Sequence, residues 1–176
     1  MQYRIGRALA LAGAVWAGSV GAVDIRYVAS DLVDAVPGVD RWRYDYTLSG
    51  PVAQWSTLNL LFSPAAYATL DLVTPPDPSR WSSLIVDPDP VFPADGWVGL
   101  TALVAQLAGE ASPLGVEFTW LASGTPGSQP FEVLDEFFSP IGSGRTAPPT
   151  PTGVPLPGSL WLATLALAGA GVLRRR

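Results

Sequence analysis

Residues Trp42-Arg43-Tyr44-Asp45-Tyr46-Thr47-Leu48 alternate bulky apolar or aromatic side chains with charged or polar ones. Successive side chains of an extended chain point to opposite faces. Trp42, Tyr44, Tyr46 and Leu48 therefore share one face, and Arg43, Asp45 and Thr47 share the other. A helix would scatter the same residues around its circumference, so the stretch commits to a half-buried strand. A half-buried strand needs partners, and the chain supplies them. Val23 to Ala29 opens with Ile25 and Tyr27 in alternation, and Ser56 to Phe62 turns Leu58, Leu60 and Phe62 inward. Tyr67 to Val73 and Trp81 to Asp87 are short runs of β-formers. Val116, Phe118 and Trp120 alternate with Glu117, Thr119 and Leu121, and Pro130 to Phe138 reads as a last strand.

Punctuation between these runs is strong. Gly50-Pro51, Pro75-Pro76-Asp77-Pro78, Asp87-Pro88-Asp89-Pro90 and Gly124 to Ser128 each break a ladder, because proline has no amide to donate. Gly96 to Leu107 fits two periods: Trp97, Leu100, Val104 and Leu107 at helical spacing, or Val98, Leu100 and Ala102 at strand spacing. Its strand neighbours and flanking glycine favour a strand. Seven or eight short strands with turns at this spacing predict an all-β fold, an antiparallel β-sandwich. A closed barrel is the alternative that pattern alone leaves open.

Both ends differ from this middle. Arg4 and Arg7 precede a short apolar run, Ala8 to Trp16, and Val20 and Ala22 stand at −3 and −1 of a cleavage site between Ala22 and Val23. That is the layout of a secretory signal peptide. At the other end Val154-Pro155-Leu156-Pro157-Gly158-Ser159 precedes an uncharged stretch, Leu160 to Leu173, and then Arg174-Arg175-Arg176. Pro155 and Pro157 hold the chain extended before the apolar run. Leu160 to Leu173 is rich in Leu and Ala and reads as a helix, short for a hydrocarbon layer of about 30 Å. The three arginines favour the cytoplasmic side. The expected division is a signal peptide over 1–22, a β domain over 23–138, a linker over 139–153 and a sorting segment over 154–176. Thr146-Ala147-Pro148-Pro149-Thr150-Pro151-Thr152 is too poor in apolar residues to pack and is expected to be an extended spacer, with threonines open to glycosylation.

The Pro-x-Pro motif, apolar helix and arginine cluster, in that order, resemble the PEP-CTERM family of C-terminal sorting signals. The family occurs on exported proteins of Gram-negative bacteria that secrete polysaccharide. Leu156 stands where the family has Glu, which is closer to the subgroup reading Val-Pro-Leu-Pro-Ala, with Gly158 in place of its Ala. The resemblance covers Val154 to Arg176. It implies the secretion machinery and an exosortase as partners, transient anchoring in the inner membrane, removal of the tail by that membrane protease, and a final location at the cell surface or outside the cell. Tyr44 to Leu48, and Gly115 to Trp120 running into Pro126 to Val133, are also similar to β-sandwich cargo found with such tails. That likeness implies fold rather than activity.

Composition narrows the chemistry. The chain has no Cys and no His, and all ten basic residues are arginine, so disulfides, the Ser-His-Asp, Cys-His and Ser-Lys systems and a His/Cys zinc site are unavailable. No Gly-rich phosphate loop is present. Between the two terminal segments stand fifteen carboxylates and five arginines, a net charge of −10 that disfavours nucleic acid. Asp87, Asp89 and Asp95 crowd one loop and offer the oxygen donors that Ca²⁺ takes, although solvated carboxylates are the simpler reading and no cofactor is expected. Asp135 and Glu136 are adjacent, and on a strand they would face opposite ways, which does not make the paired carboxylates of a glycosidase. Of the tryptophans, Trp42 and Trp120 lie on apolar strand faces, whereas Trp55 and Trp81 beside turns are better placed to meet a sugar ring, although packing is the expectation even for these two. The expected function is a non-enzymatic surface or matrix protein associated with exopolysaccharide. The alternative is a carbohydrate-binding or carboxylate-dependent glycan-processing protein.

Overall fold

The structure is a computed structural model that describes residues 22–150. Most of the signal segment and the whole sorting motif, Val154 to Pro157 with Arg174 to Arg176, lie outside the described residues. Within them the fold is all-β, with nine strands and no helix. They are β1 (Asp24–Asp31), β2 (Asp40–Ser49), β3 (Thr57–Phe62), β4 (Tyr67–Thr74), β5 (Trp81–Val86), β6 (Gly96–Ala102), β7 (Ala111–Trp120), β8 (Pro130–Leu134) and β9 (Pro140–Arg145). Two antiparallel sheets form, in the orders β1-β2-β7-β4 and β5-β6-β3-β8-β9. Hairpins join β1 to β2, β5 to β6 and β8 to β9, and every other connection crosses from one sheet to the other.

The alternation around Tyr44 fixes how the sheets meet. Ile25, Tyr44, Tyr46, Leu48, Val116 and Phe118 from the first sheet are buried against Leu58, Leu60, Phe62, Val98 and Leu100 from the second. Tyr44 stacks on Phe118 with ring centres 4.7 Å apart, and Phe62 meets Tyr67 edge to face across the interface at 5.2 Å. Such pairs contribute about 0.5–1.5 kcal/mol each beyond the area they bury. The result is a β-sandwich-like core built from the inward residues of both sheets.

Gly96 to Leu107 divides rather than choosing one period. Gly96–Ala102 is strand β6, because Val98, Leu100 and Ala102 are buried between β3 and β5. Leu103 to Leu107 then leaves the sheet, and Gln106 bonds back to Val52 in an isolated bridge. Strand β7 starts five residues before the expected Val116, since Ala111–Trp120 pairs with the full length of β2. Pro113 is tolerated there because β4 ends opposite Gly115, leaving Pro113 with a strand on one side.

Two expectations need correction. Among the described residues the strand count is nine rather than seven or eight, and the folded part continues beyond Phe138 into the stretch expected to be linker. The expected last strand, Pro130 to Phe138, breaks into β8 and a turn, and β9 follows it. Gly144 makes this return possible: a Cβ there would fall 2.6 Å from the Phe131 ring, so a side chain would collide with the core. Thr146, expected in the exposed spacer, is only 2% exposed. Its Oγ1 accepts from Gln129 N at 2.9 Å and donates to Gln129 Oε1 at 3.2 Å, which removes it from the residues open to glycosylation in the folded state. Ala147 then joins the edge of β1: Tyr27 N donates to Ala147 O and Ala147 N donates to Ile25 O, both at 2.9 Å.

Candidate functional site

The outward face of the five-stranded sheet carries a groove of about 380 Å³. Its makeup follows from strand period. With Leu58 and Leu60 of β3 turned into the core, Thr57 and Asn59 face out, and with Val98 and Leu100 of β6 inward, Trp97, Gly99 and Thr101 face out. Registry places Thr57 opposite Thr101 and Asn59 opposite Gly99 on one side and Glu132 of β8 on the other. The Thr57 and Thr101 hydroxyls are 2.9 Å apart and hydrogen-bonded. Asn59 Nδ2 donates to Glu132 Oε1 at 3.1 Å.

Gly99 is the hinge of this arrangement. A Cβ at Gly99 would lie 2.6 Å from Trp97 Cζ3 and 3.1 Å from Asn59 Oδ1. The six-membered part of the Trp97 indole therefore rests in the space a side chain would fill, close beside the Asn59 carbonyl. Asn59 Oδ1 is buried and has no hydrogen-bond partner among the described residues. Leaving a buried acceptor unpaired costs about 1–3 kcal/mol.

Leu84 of β5 and Phe138 wall the groove, and Phe138 is 73% exposed. Phe138 sits at φ +59° in the β8–β9 turn, a conformation bulky residues rarely adopt. The Asp135 carboxylate holds that turn. Its Oδ1 accepts from Phe137 N at 2.9 Å and Ser139 N at 2.8 Å, while Phe138 N donates to Asp135 O at 3.0 Å. Asp135 is thus a positioning residue for an aromatic wall, and Glu136 beside it is exposed.

The remaining candidates separate. Asp87 Oδ1 accepts from Leu70 N at 2.7 Å, next to Thr69 at φ +52°, and so pins the bulge in β4. Asp89 Oδ1 accepts from Val91 N at 2.8 Å and Phe92 N at 3.1 Å, shaping its own loop. Asp95 is exposed. Among the described residues no three carboxylates converge on a point where a cation would sit, so Asp87, Asp89 and Asp95 do not form the Ca²⁺ cluster their spacing raised. Each of the first two has a backbone amide to satisfy instead.

The tryptophans also rearrange. Trp81 is 3% exposed and gives Nε1 to Ser112 Oγ at 3.0 Å, so it packs into the core, as expected even for a tryptophan beside a turn. The first residue of a strand can point inward as readily as outward, and nearness to a turn does not decide which. Trp55 is 50% exposed at φ +66° but stands outside the groove lining. Trp97, Asn59 and Glu132 were missed as site residues. The strand reading of β6 held the missing signal: if Val98, Leu100 and Ala102 face in, Trp97 faces out beside a glycine.

A second groove of about 590 Å³ lies at the open end between the sheets, lined mostly by apolar residues such as Val52, Leu107, Phe131 and Ile141. Ala22 and Val23, the expected cleavage pair, lie on its rim, and Val23 packs against the core. Its polar residue Gln106 is satisfied, donating to Gly50 O at 2.8 Å and accepting from Ser112 Oγ at 2.9 Å.

Chemically, the outer groove offers an aromatic face, the Thr57–Thr101 hydroxyl pair, the lining serines Ser82 and Ser83, a buried amide carbonyl in want of a donor and one neighbouring carboxylate. That set can stack against and hydrogen-bond a hydroxylated ring such as a sugar's. No protein-family model matches the chain, and a search of curated proteins returns no significant match.

Proposed function

We propose that the chain is an exported bacterial cell-surface or matrix protein that acts without catalysis by holding extracellular polysaccharide. In this reading the general secretion machinery carries it across the inner membrane, residues 1–22 are removed, and an exosortase releases it from the anchor formed by residues 154–176. The order Pro155-Leu156-Pro157, apolar stretch, Arg174-Arg175-Arg176 supports the sorting step. The observation that carries the binding step is the outer groove: a partly exposed indole lying over Gly99, next to an amide and a hydroxyl pair on a rigid sheet. Sites on strands hold their geometry better than sites on loops.

Mass spectrometry of the protein recovered from the cell surface tests the sorting half, and co-sedimentation with the producer's own exopolysaccharide tests the binding half. The expected mature chain begins at Val23 and ends upstream of Arg174, and it sediments with the polymer. A surface protein that retains Arg174 to Arg176, or one that stays in the supernatant, contradicts the corresponding half.

A further inference from the structure

Given that the groove holds polysaccharide, the reading on which this inference rests, its chemistry narrows the ligand further. We infer that it takes an uncharged, hydroxyl-rich glycan, with the Trp97 indole as a movable platform and Asn59 Oδ1 as the acceptor that a glycan hydroxyl reaches when the ring shifts.

Three observations lead there. The first is the unpaired Asn59 carbonyl. Its amide nitrogen is committed to Glu132 Oε1, which fixes the oxygen toward Gly99 and the Trp97 ring. A hydroxyl donor placed there satisfies a buried acceptor that the protein leaves without one. Because the oxygen is buried and the indole lies beside it over Gly99, the donor enters only if the ring moves. Gly99 leaves the ring that freedom, since no Cβ locks it from below.

The second is the polarity of the groove. The acceptors around it are the buried Asn59 carbonyl and the neighbouring Glu132 carboxylate, and the Thr57–Thr101 hydroxyl pair can do either. A ligand that both donates and accepts at short intervals fits this set, and a polyol ring is such a ligand.

The third is the absence of a cation where an acidic sugar would need one. Among the described residues, none that lines the groove is basic. Four of the five arginines among the described residues are in ion pairs: Arg26 with Asp24, Arg41 with Glu117, Arg43 with Asp45 and Arg80 with Glu110. The fifth, Arg145, gives Nη2 to Ser128 O at 2.6 Å. A uronate or sulfated glycan would bring its charge toward Glu132 on a domain of net charge −10, with no arginine in the groove to receive it. The groove volume of about 380 Å³ falls within the range of about 300–1,000 Å³ common to small-ligand sites, which suits a short stretch of a longer chain.

The test is native affinity electrophoresis of the full chain in a detergent without sugar groups, through gels containing hydroxyethyl cellulose, dextran or glucomannan as neutral probes, and alginate or chitosan as charged ones. At least one neutral polymer is expected to retard the wild type, with less than a twofold change between low and high salt because no ion pair forms. Trp97→Ala is expected to weaken that retardation at least tenfold, Asn59→Leu severalfold, and Trp97→Phe less than Trp97→Ala. Trp97→Phe is also expected to lose the change in tryptophan fluorescence that binding produces, a readout that general destabilisation does not mimic. Unchanged retardation of Trp97→Ala and Asn59→Leu by a polymer that retards the wild type overturns this site while leaving the polysaccharide reading intact. Tighter binding of alginate or chitosan than of any neutral polymer overturns the ligand class. No retardation in any gel removes the polysaccharide reading itself, and this inference with it.

Discussion

Gln129 joins parts of the molecule that lie far apart in sequence. It sits buried where the tyrosines of the first sheet meet the turn before β8 and the segment after β9. Its Nε2 donates to Tyr67 Oη at 2.8 Å and lies within hydrogen-bonding reach of Tyr44 Oη, while its Oε1 accepts from Tyr46 Oη at 2.9 Å. Tyr44 Oη in turn donates to Gly127 O at 2.6 Å. Replacing one member leaves a buried partner short of a hydrogen bond, at a cost of about 1–3 kcal/mol. Tyr46→Phe is therefore expected to lower the unfolding free energy by about that amount in urea titration, with glycan retardation unchanged because Tyr46 is on the inner face. The inward placement of Tyr44 and Tyr46 was legible from their alternation with Arg43, Asp45 and Thr47. The partners were not. Gln129 and Thr146 are polar residues in Pro-, Ser- and Gly-rich stretches, and nothing local marks them as core. The same applies to Asn59, whose importance comes from lying between Gly99 and Glu132 on neighbouring strands.

At the scale of elements, proline and glycine punctuation located the breaks between strands, and period two chose the inward faces of β2, β3 and β7. Strand β9 escaped because Pro140-Ile141-Gly142-Ser143-Gly144-Arg145 has almost no apolar alternation to read. It is held by its partner instead, with Gly144 opposite Phe131 and Arg145 opposite Pro130. Ala147 then hydrogen-bonds to β1, so the last segment ties the edge of one sheet to the edge of the other. A chain ending at Phe138, the boundary the sequence suggested, is expected to lose cooperative unfolding. A chain ending at Thr150 is expected to keep it. Circular dichroism during thermal denaturation of 23–138 and 23–150 separates the two, and a cooperative transition for the shorter chain would remove the structural role assigned to β9. The carboxylates likewise acquired roles only once elements were in place: Asp87 at the β4 bulge, Asp135 in the turn that carries Phe138.

For the whole molecule, a tyrosine-rich core and an acidic surface without lysine or histidine set the response to pH. Burial holds the Tyr44 and Tyr46 phenols well above their ordinary range, so they stay neutral in the fold. Groups raised in the folded state contribute stability that is present below the unfolded value, about 10 for tyrosine, and is lost as pH rises beyond it. Each phenol is worth about 1.4 kcal/mol per pH unit there. Carboxyls move the other way. The Ser79 hydroxyl and amide hold Asp77 low, and the Arg80 guanidinium with the Leu107 amide holds Glu110 low. What these two contribute is present above the usual carboxylate range and fades as pH falls through their lowered values. Melting temperature is expected to stay level through neutral pH, fall in acid below about pH 4 and fall steeply in alkali above about pH 10. Tyr46→Phe should flatten the alkaline limb while leaving the acid limb as it was.

The claim on which the account turns is that polysaccharide is held on the outer face of the five-stranded sheet, against Trp97. Heteronuclear NMR of the mature, isotope-labelled protein titrated with a retarding neutral oligosaccharide reads this directly. Shifts are expected to concentrate on the Trp97 indole N–H, the Asn59 side-chain amide, and the backbone of Thr57, Gly99, Thr101 and Phe138. Shifts confined to the apolar groove near Val52 and Ile141, or to the outer face of β1 and β2, would contradict it.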